Sequence, residues 1–502
     1  MNKAVRTVGF IAAATLISKL MGMWRDIILA QSFGTGIELD AYMAASRIPL
    51  LFFDFTLGAA IISTFIPVFN RYLQRGDDNR AKEFSNSFIK LVVLISAVFC
   101  FIGIIFSSQL TSLIAPGYAS DVKLLTSHLL IIMLPTIIFT TLAFSFVGIL
   151  QSYGEFNIPA IISLVSNAAV IVYLLFFNKS FGIYGLAVAM LVGWAMQAAV
   201  QIPALVKRKY EYSVMLNLKD EGIKDVFVLA ASVLISSWLQ PICVLVNTIF
   251  ASYLQSGSVA ALELANRLYI IVVGVFVFAI TNYAFPALSK MSGGGDDVGF
   301  ADVMRKSLCS MLVIIAPIMS GMMIISREII TVFYARGVFD ERAVTLTSIA
   351  LFFYSIGMLA YGTNEILNKC FYAMEDGKTP MIASFFGIGG VVFFAFLFTR
   401  VLKLEIGGLA LSASVSAILV SIVLIYKMNK RVLFIDKNLI IFVAKTAVSI
   451  AAMIAAVLFV KGLVADYGIW IRLFAPVLAG AVAYLPLMLL FGLARTIKEG
   501  II

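Results

Sequence analysis

The sequence predicts an all-α, polytopic membrane protein with fourteen transmembrane helices. Of its 502 residues, 62% are hydrophobic and only 13% are charged, whereas about a quarter of the residues of a soluble domain are charged. Apolar stretches of about twenty residues, the length that crosses the hydrocarbon core as a helix, recur along the whole chain. An internal repeat, described below, groups these helices into two lobes.

Fourteen apolar stretches are long enough to span the membrane: 8–33, 41–70, 84–107, 123–152, 157–177, 182–206, 226–254, 259–289, 304–325, 343–373, 379–399, 407–426, 438–460 and 470–494. With the N-terminus inside, the cytoplasmic segments hold 21 of the 37 lysines and arginines and the outer segments hold nine, counting basic residues at the margin of a span with the adjoining loop. Because cytoplasmic loops are enriched in basic residues, both termini are predicted to be cytoplasmic. The glycine-rich stretch within 290–303 is predicted to be a flexible linker.

The second half of the chain repeats the first. "YGEFNIPAIIS" (153–163) matches "MEDGKTPMIAS" (374–384), and Arg47-Ile48 matches Arg267-Leu268. Each unit contains six spans, so both have the same orientation, which predicts two lobes related by a pseudo-two-fold axis along the membrane normal. The predicted domains are an N-lobe (1–206), a cytoplasmic connector (207–225), a C-lobe (226–430) and two extra C-terminal spans (431–502).

Three arginines inside the predicted spans are candidate binding residues. Arg25, Arg47 and Arg267 lie seven or eight residues from the outer ends of spans 1, 2 and 8, roughly 10–12 Å below the outer face at 1.5 Å per residue. A charge at that depth is costly, so it marks a functional site by default. Arginine stays charged when buried and donates bidentately to phosphate. The three arginines therefore predict a clamp for an anionic group between the lobes.

Other ionisable side chains adjoin these arginines or lie a few residues from one another in the spans. We expect six of them to support the clamp or to couple transport to an ion: Asp26, Asp40, Asp54, Glu263, Glu365 and Lys369. A structural alternative stays open, in which Arg25 pairs with Asp26 and Arg267 with Glu263, so that the pairs lock helices together.

Motifs for other chemistry are missing or weak. His128 is the single histidine, and the four cysteines (residues 100, 243, 309 and 370) fall inside predicted helices without a CxxC pair. We therefore expect no catalytic residue, no metal site and no cofactor. The acids Asp296, Asp297 and Asp302 are similar to magnesium-binding acids of prenyl-diphosphate enzymes, but a solvated linker is favoured because no second acidic cluster completes a site. The net charge of +10 follows from the loops, not from nucleic-acid binding.

Five stretches carry a resemblance to a known family: "SKLMGMWRDIILAQSFGTGIELDAYMAASRIP" (18–49), "GAAIISTFIPVF" (58–69), "APGY" (115–118), "NTIFASYLQSGSVAALELANRLY" (247–269) and "FYAMEDGKTP" (371–380). Over essentially its whole length, the chain resembles the MurJ/MviN family of lipid II flippases in the MOP exporter superfamily. The first and fourth stretches separate it from the drug-exporting MATE branch, which typically has twelve spans.

The resemblance implies a function and a site. It implies export of undecaprenyl-pyrophosphate-linked disaccharide-pentapeptide across the bacterial cytoplasmic membrane, by alternating access around a V-shaped cationic cavity. It also implies that Arg25, Asp26, Asp40 and Arg267 occupy family positions. The expected partners are the lipid-linked glycan and membrane lipids, the protein is expected to be a monomer, and Na+, H+ or the membrane potential would supply the energy.

Two departures from the family pattern concern the cations. Gln31 stands where Gram-negative members carry a further arginine, and Asp54 stands where a cation is expected. The stretches "GAAIISTFIP" and "NEILNKCFYAMEDGKTP" are more similar to the Gram-positive, clostridial branch.

Four other functions stay open from the sequence. A flippase for another lipid-linked oligosaccharide, of the exopolysaccharide or O-antigen type, would need the same charges. A MATE-like, cation-coupled exporter would favour an acidic, arginine-poor cavity, and a membrane glycosyl- or prenyltransferase would need a divalent metal. A non-transporting scaffold would need no substrate site.

Overall fold

The computed structural model describes residues 3–52, 64–208, 210, 217, 220–226 and 239–493. Every regular element in that part of the chain is a helix, which confirms the predicted all-α class. Asp54, much of the predicted connector and the first part of predicted span 7 lie outside the described residues.

The chain divides into two compact units, Met1–Ala260 and Ala261–Ile502. The described helices that begin in the first unit are α1 (Lys3–Phe33), α2 (Ile37–Phe52), α3 (Ile66–Gln74), α4 (Asp78–Ile105), α5 (Ser107–Ile114), α6 (Ser120–Met133), α7 (Thr136–Ser152), α8 (Asn157–Phe176), α9 (Asn178–Ala199), α10 (Ile202–Lys207), α11 (Leu239–Ala251) and α12 (Ser258–Gly293). The boundary between the units falls within α12.

The helices that follow in the second unit are α13 (Asp297–Ile324), α14 (Ser326–Tyr334), α15 (Glu341–Ile356), α16 (Met358–Ala373), α17 (Lys378–Phe396), α18 (Glu405–Arg431), α19 (Lys437–Leu463) and α20 (Ile469–Leu490). Helix α17 continues into a π-helical turn, Leu397–Val401.

Many helices of the described residues are long enough to span a membrane. Ten segments are long and apolar enough to cross a membrane, and the pair α15–α16, bent by 45°, gives an eleventh. The chain is therefore a multi-pass membrane protein. Predicted spans 1, 2 and 7 are not among the eleven, and spans 2 and 7 run through residues outside the described part. Fourteen spans thus stay a prediction.

The sequence repeat has a structural counterpart in α4 and α13. Both helices contain 28 residues and begin after an aspartate, Asp77 or Asp296, whose side chain accepts a hydrogen bond from the backbone amide three residues on. The glycine before each cap, Gly76 or Gly295, has a φ of 73° or 70°, a conformation that costs glycine least. An N-cap of this kind satisfies a helix amide that would otherwise lack a partner. The two halves therefore start this helix in the same way.

These caps overturn the predicted flexible linker within 290–303. Helix α12 runs to Gly293 and α13 begins at Asp297, so only three residues separate them. Asp302 lies inside α13 and pairs with Arg305 at 3.3 Å and with Lys306 at 2.9 Å. The acids of this stretch form a helix cap and helix-surface ion pairs.

The matching loops "YGEFNIP" and "MEDGKTP" are each tied to the end of a later helix in their own unit. In the first unit Arg208 lies 3.7 Å from Glu155, and in the second Arg431 lies 2.6 Å from Asp376. Asp376 also accepts hydrogen bonds from the backbone amide and the hydroxyl of Thr379. The repeat thus preserves an ion pair as well as the helices.

The last two helices pack against α13 and α14 and are joined to them by polar contacts along their length. Arg305 contacts Asp436 at 2.7 Å, next to the start of α19. The Tyr484 hydroxyl of α20 donates to the carbonyl of Val313 at 2.8 Å. At the far end, Glu328 of α14 is only 2% exposed; it lies 3.0 Å from Lys461 and 3.6 Å from Arg472.

Between these contacts lies an apolar seam of the second unit. Its buried members are Val313, Ile325, Val332, Met453, Val457, Leu473, Tyr484 and Leu493. At the repeat offset of α4 and α13, Val313 (2% exposed) corresponds to Leu94, which is 54% exposed. Phe106 and Leu113, which correspond to Ile325 and Val332, are also exposed. The C-terminal hairpin α19–α20 therefore covers positions of α13 and α14 whose described counterparts in α4 and α5 are exposed.

We expect Glu328→Gln to lower the stability of the second unit by roughly 2 kcal/mol. The substitution leaves Lys461 and Arg472 without their carboxylate, and we discount the cost of a fully buried pair because both cations are about one-third exposed. Thermal unfolding of the purified protein in detergent measures the change. The exposed Asp466→Asn is the control, and equal melting of both variants with the wild type would contradict the role of Glu328.

We expect Asp376 to contribute stability that acid removes. Partial burial alone would raise the pKa of Asp376, but its hydrogen bonds from Thr379 and its pairing with Arg431 outweigh this and hold the pKa below its usual range. The folded state then binds the proton more weakly than the unfolded state, so the contribution is present above the unfolded pKa of about 4 and is lost as the pH falls through the lower folded pKa.

The measurement for Asp376 compares melting temperatures of wild type and Asp376→Asn from pH 6 to pH 3. The wild type should lose more stability over this range than the variant. The neighbouring exposed Glu375→Gln serves as the control and should follow the wild-type curve. Parallel curves for all three proteins would refute the assignment.

Candidate functional site

Arg25, on α1, is held by an acid and an amide within the first unit. Its Nε and one Nη donate to Asp26 Oδ1 at 3.1 and 2.8 Å, and its other Nη donates to Asn167 Oδ1 of α8 at 3.0 Å. The Asn167 amide donates in turn to the carbonyl of Ser18 at 3.4 Å. Asp26 is buried, whereas the Arg25 side chain keeps 25% of its surface exposed. Through Asn167, the Arg25–Asp26 pair therefore joins α1 to α8. This corresponds to the structural alternative, in which the ion pairs lock helices together.

Asn167 is a contact of the candidate residue Arg25 that the sequence pattern did not indicate. It is buried within an apolar helix, and its two amide atoms contact Arg25 and the α1 backbone. The available signal was an uncharged polar residue in the middle of predicted span 5. That signal is weak because membrane helices use asparagine in many helix contacts.

Arg47 lies on α2, directly after a continuously buried stretch of that helix. Residues 39–46 of this helix are all buried, and Arg47 itself is half-buried with its Nε inside the protein. Pro49 follows within the same helix, where the missing amide weakens the helical hydrogen bonding. The Arg47 side chain thus extends from a tightly packed helix, and part of the side-chain surface is accessible.

Asp40 binds the beginning of another helix. Its carboxylate accepts hydrogen bonds from the backbone amides of Gly257 at 2.6 Å and Ala260 at 2.8 Å, so it caps the first turn of α12. Ala260 lies 220 residues from Asp40, which is the spacing of the sequence repeat. The hydroxyl of Tyr118 donates to the Asp40 carbonyl at 3.3 Å. These contacts give Asp40, which is 3% exposed, a specific set of partners.

Two glycines permit this close approach. Gly257 has a φ of 91°, and a Cβ there would collide with the carbonyl oxygen of Thr35. A Cβ at Gly117, in the "APGY" stretch, would lie 2.5 Å from the carbonyl oxygen of Ser252, whose hydroxyl accepts from the Gly117 amide at 3.0 Å. Three inter-helix loops therefore meet at Asp40, and neither glycine has room for a side chain.

In the second unit, Arg267 and Glu263 lie one turn apart near the start of α12. Both are half-buried, and the Arg267 Nε lies inside the protein. Tyr269 follows and is buried against two other tyrosines, with ring centroids 5.9 Å from Tyr354 and 6.1 Å from Tyr361. A buried aromatic cluster of this kind fixes the helix segment that carries Arg267.

Glu365 and Lys369 share a face of α16, as their spacing predicts, and both are half-buried. The Lys369 ammonium lies 5.4 Å from the centroid of the Phe285 ring, within the range of a cation–π contact. Glu365 lies one turn from Tyr361 on the same helix. The structure thus gives Lys369 an aromatic neighbour in α12 that the sequence pattern did not indicate.

The possible metal ligands of the described residues lie apart from one another. No group of three or more histidine, cysteine, aspartate or glutamate side chains lies close enough there to hold an ion. Asp296 and Asp302, the acids of the enzyme alternative, are used in a helix cap and in ion pairs. Asp54 lies outside the described residues.

The fold is that of a known class of membrane transporter. A solved lipid II flippase MurJ in an inward closed conformation matches with a TM-score of 0.82 at 24% identity, over 96% of this chain and 98% of that one. An inward-facing multidrug resistance MATE family transporter of the MOP superfamily matches with a TM-score of 0.72 at 16% identity, over 85% and 98%. The chain therefore shares its fold with both of these solved transporters.

The family of the chain follows from its sequence: it belongs to the lipid II flippase MurJ family, whose model matches residues 29–480. A probable lipid II flippase MurJ of Buchnera aphidicola subsp. Schizaphis graminum is 28% identical over 94% of this chain and 93% of its own length. A probable lipid II flippase MurJ of Vibrio cholerae is 27% identical over 96% and 95%. The predicted resemblance is confirmed.

We expect Asp40→Ala to destabilise the first unit by about 2–4 kcal/mol. The substitution leaves the amides of Gly257 and Ala260 without their acceptor, and an unsatisfied buried amide costs about 1–3 kcal/mol. Thermal unfolding in detergent measures the loss, with the exposed Glu38→Ala on the same helix as the control. If Asp40→Ala melts like Glu38→Ala, the cap does not stabilise the protein.

Proposed function

We propose that this protein is a lipid II flippase, which moves undecaprenyl-pyrophosphate-linked disaccharide-pentapeptide from the inner to the outer leaflet of the bacterial cytoplasmic membrane. The observation that carries the proposal is the family match over residues 29–480, with relatives of that name aligned over more than nine-tenths of both chains. The proposed orientation, with both termini in the cytoplasm, follows from the basic residues of the loops. We propose a monomer without catalytic activity.

Arg25, Arg47 and Arg267 are the proposed contacts of the pyrophosphate. Arg47 and Arg267 support this role because both are long cations, half-buried on helices anchored by buried neighbours. A planar guanidinium donates two parallel hydrogen bonds to phosphate oxygens. Asp26 offsets the charge of Arg25 in the arrangement described here, so we assign Arg25 the smaller share of binding. We propose supporting roles for Glu263, Glu365 and Lys369.

Asp40 is the proposed residue of the outer gate. Its hydrogen bonds from Gly257 and Ala260 join the start of α2 to the start of α12, two helix ends that the predicted topology places on the outer side. Alternating access requires outer contacts that form in one state and break in the other. The hydrogen bonds of Asp40 are buried in the state described, and they are suited to this exchange because water can replace the carboxylate once opening exposes the two amides.

The membrane potential is the proposed source of energy. Moving an anionic head group outward across an inside-negative potential is favourable by about 2.3 kcal/mol per charge per 100 mV. The alternative source of energy is coupling of transport to Na+ or H+ through Asp26, Asp54 or Glu365.

We expect Arg47→Gln and Arg267→Gln each to reduce flipping about ten- to a hundredfold. Each removes a charge-assisted contact worth about 1.5–3 kcal/mol. Arg47→Lys keeps the charge but loses the bidentate geometry, so its flipping rate should fall less than that of Arg47→Gln. The measurement is flipping of purified lipid II in reconstituted vesicles, together with complementation of a bacterial strain depleted of its own lipid II flippase.

The control is Arg75→Gln, which removes an exposed arginine from the end of α3. It should flip lipid II as the wild type does. If Arg47→Gln and Arg267→Gln also keep wild-type flipping, the arginines do not bind the pyrophosphate. If the wild-type protein moves other lipid-linked oligosaccharides but not lipid II, the substrate assignment is wrong.

A further inference from the structure

The corner between α18 and α19 carries a concentration of lysines. Lys427 and Lys430 lie in the last turns of α18, and Lys437 and Lys445 lie in the first turns of α19; all four are exposed. Among the described residues, none of the four forms an ion pair. We call residues 426–445 the basic corner.

The acids next to the basic corner are already engaged. Asp436, within it, contacts Arg305 at 2.7 Å and accepts a hydrogen bond from the Leu439 amide at 2.7 Å. Asp376 lies 2.6 Å from Arg431. Their charges are balanced by these arginines, so the field of the four lysines is left to act on the surroundings.

The loop of the basic corner holds apolar side chains outward. The Asn429 side chain accepts hydrogen bonds from the amides of Phe434 at 3.3 Å and Ile435 at 3.2 Å, which fixes the turn. Phe434 is buried, whereas Ile435 is exposed and Leu433 is 85% exposed, more than any other large apolar side chain in the described part of the chain. In a loop bordered by lysines, such a residue is placed to enter the boundary between head groups and acyl chains.

An aromatic residue and an apolar surface complete the arrangement. Tyr426 is exposed, and the Lys430 ammonium lies 4.4 Å from the centroid of its ring. Tyrosine is enriched where membrane helices meet the head-group layer. Exposed aliphatic side chains continue from the corner along both helices: Leu419, Ile422, Ile440, Ile441 and Val448. Acyl chains can lie against these residues while the lysines reach the head group.

We propose that the basic corner is a binding site for the head group of an anionic phospholipid of the inner leaflet. Its lysines supply the charge, and Leu433, Ile435 and Tyr426 supply contact at the interface. Basic residues just cytoplasmic of a membrane helix attract anionic lipids at a gain near a factor of five for each lysine. The inner-leaflet position rests on the orientation in the proposed function, whereas the binding itself does not.

The test uses the full-length protein in detergent and measures bound lipid by native mass spectrometry. Phosphatidylglycerol is the anionic probe and phosphatidylethanolamine is the zwitterionic one. The variant is Lys427→Gln/Lys430→Gln/Lys437→Gln, and the matched control is Lys123→Gln/Lys179→Gln/Lys403→Gln, which removes the same charge from the predicted outer side. Thermal unfolding of each variant establishes that it is folded.

The wild type should prefer phosphatidylglycerol, and the corner variant should bind it about a hundredfold more weakly, as expected from three lysines. The control variant should bind it as the wild type does, and added salt should weaken wild-type binding. Unchanged binding by the corner variant, an equal loss in the control, or equal wild-type binding of both lipids would overturn the proposal. In the last case the lysines simply extend to the membrane surface.

This experiment separates the lipid site from the proposed transport function. Lipid binding is measured without transport, so loss of the phosphatidylglycerol preference leaves the flippase assignment intact. Conversely, a protein that binds phosphatidylglycerol at the corner but does not flip lipid II keeps the lipid site and loses the proposed function.

Discussion

An ionised group inside a membrane protein needs its counter-charge or hydrogen-bond partners within the protein, because hydrocarbon supplies none. Much of the described structure follows from this constraint. Asp40 finds two backbone amides at the start of α12, and Arg25 finds Asp26 and Asn167. Glu328 finds two cations of the C-terminal hairpin. Apolar helix faces pack against lipid about as well as against each other, so these polar contacts specify which helices meet.

The two halves of the chain obey the same local rules and differ in their surfaces. The repeat keeps the length of α4 and α13, the aspartate that caps each and the left-handed glycine before it. It also keeps an ion pair between a loop and a later helix. The outward faces diverge, since Leu94 is exposed where Val313 is covered. Caps and turns are determined by residues close in sequence, whereas the residues on a helix surface are determined by the lipid or the helix that packs against them.

The same distinction explains how far sequence reasoning reaches. Apolar length located the helices closely: predicted span 5, 157–177, is the helix Asn157–Phe176. The linker predicted within 290–303 was wrong because its glycines and aspartate form a tight turn and a helix cap, a local signal hidden by composition. The partners of Asp40 are backbone amides that lie 217 and 220 residues away. A pattern of side chains in the sequence therefore cannot predict these contacts. Glu328 was missed for a different reason: its cations, Lys461 and Arg472, belong to helices outside the repeat.

The buried carboxylate of Glu328 makes the second unit depend on the C-terminal hairpin for its counter-charges. A protein that ended at Arg431 would lose both cations that neutralise Glu328 and would uncover Val313, Ile325 and Val332 together with an unbalanced charge. A chain without the hairpin would therefore be more stable with a neutral residue in place of this glutamate. Position 109, the counterpart of 328 in the half without a hairpin, is already the uncharged Gln109.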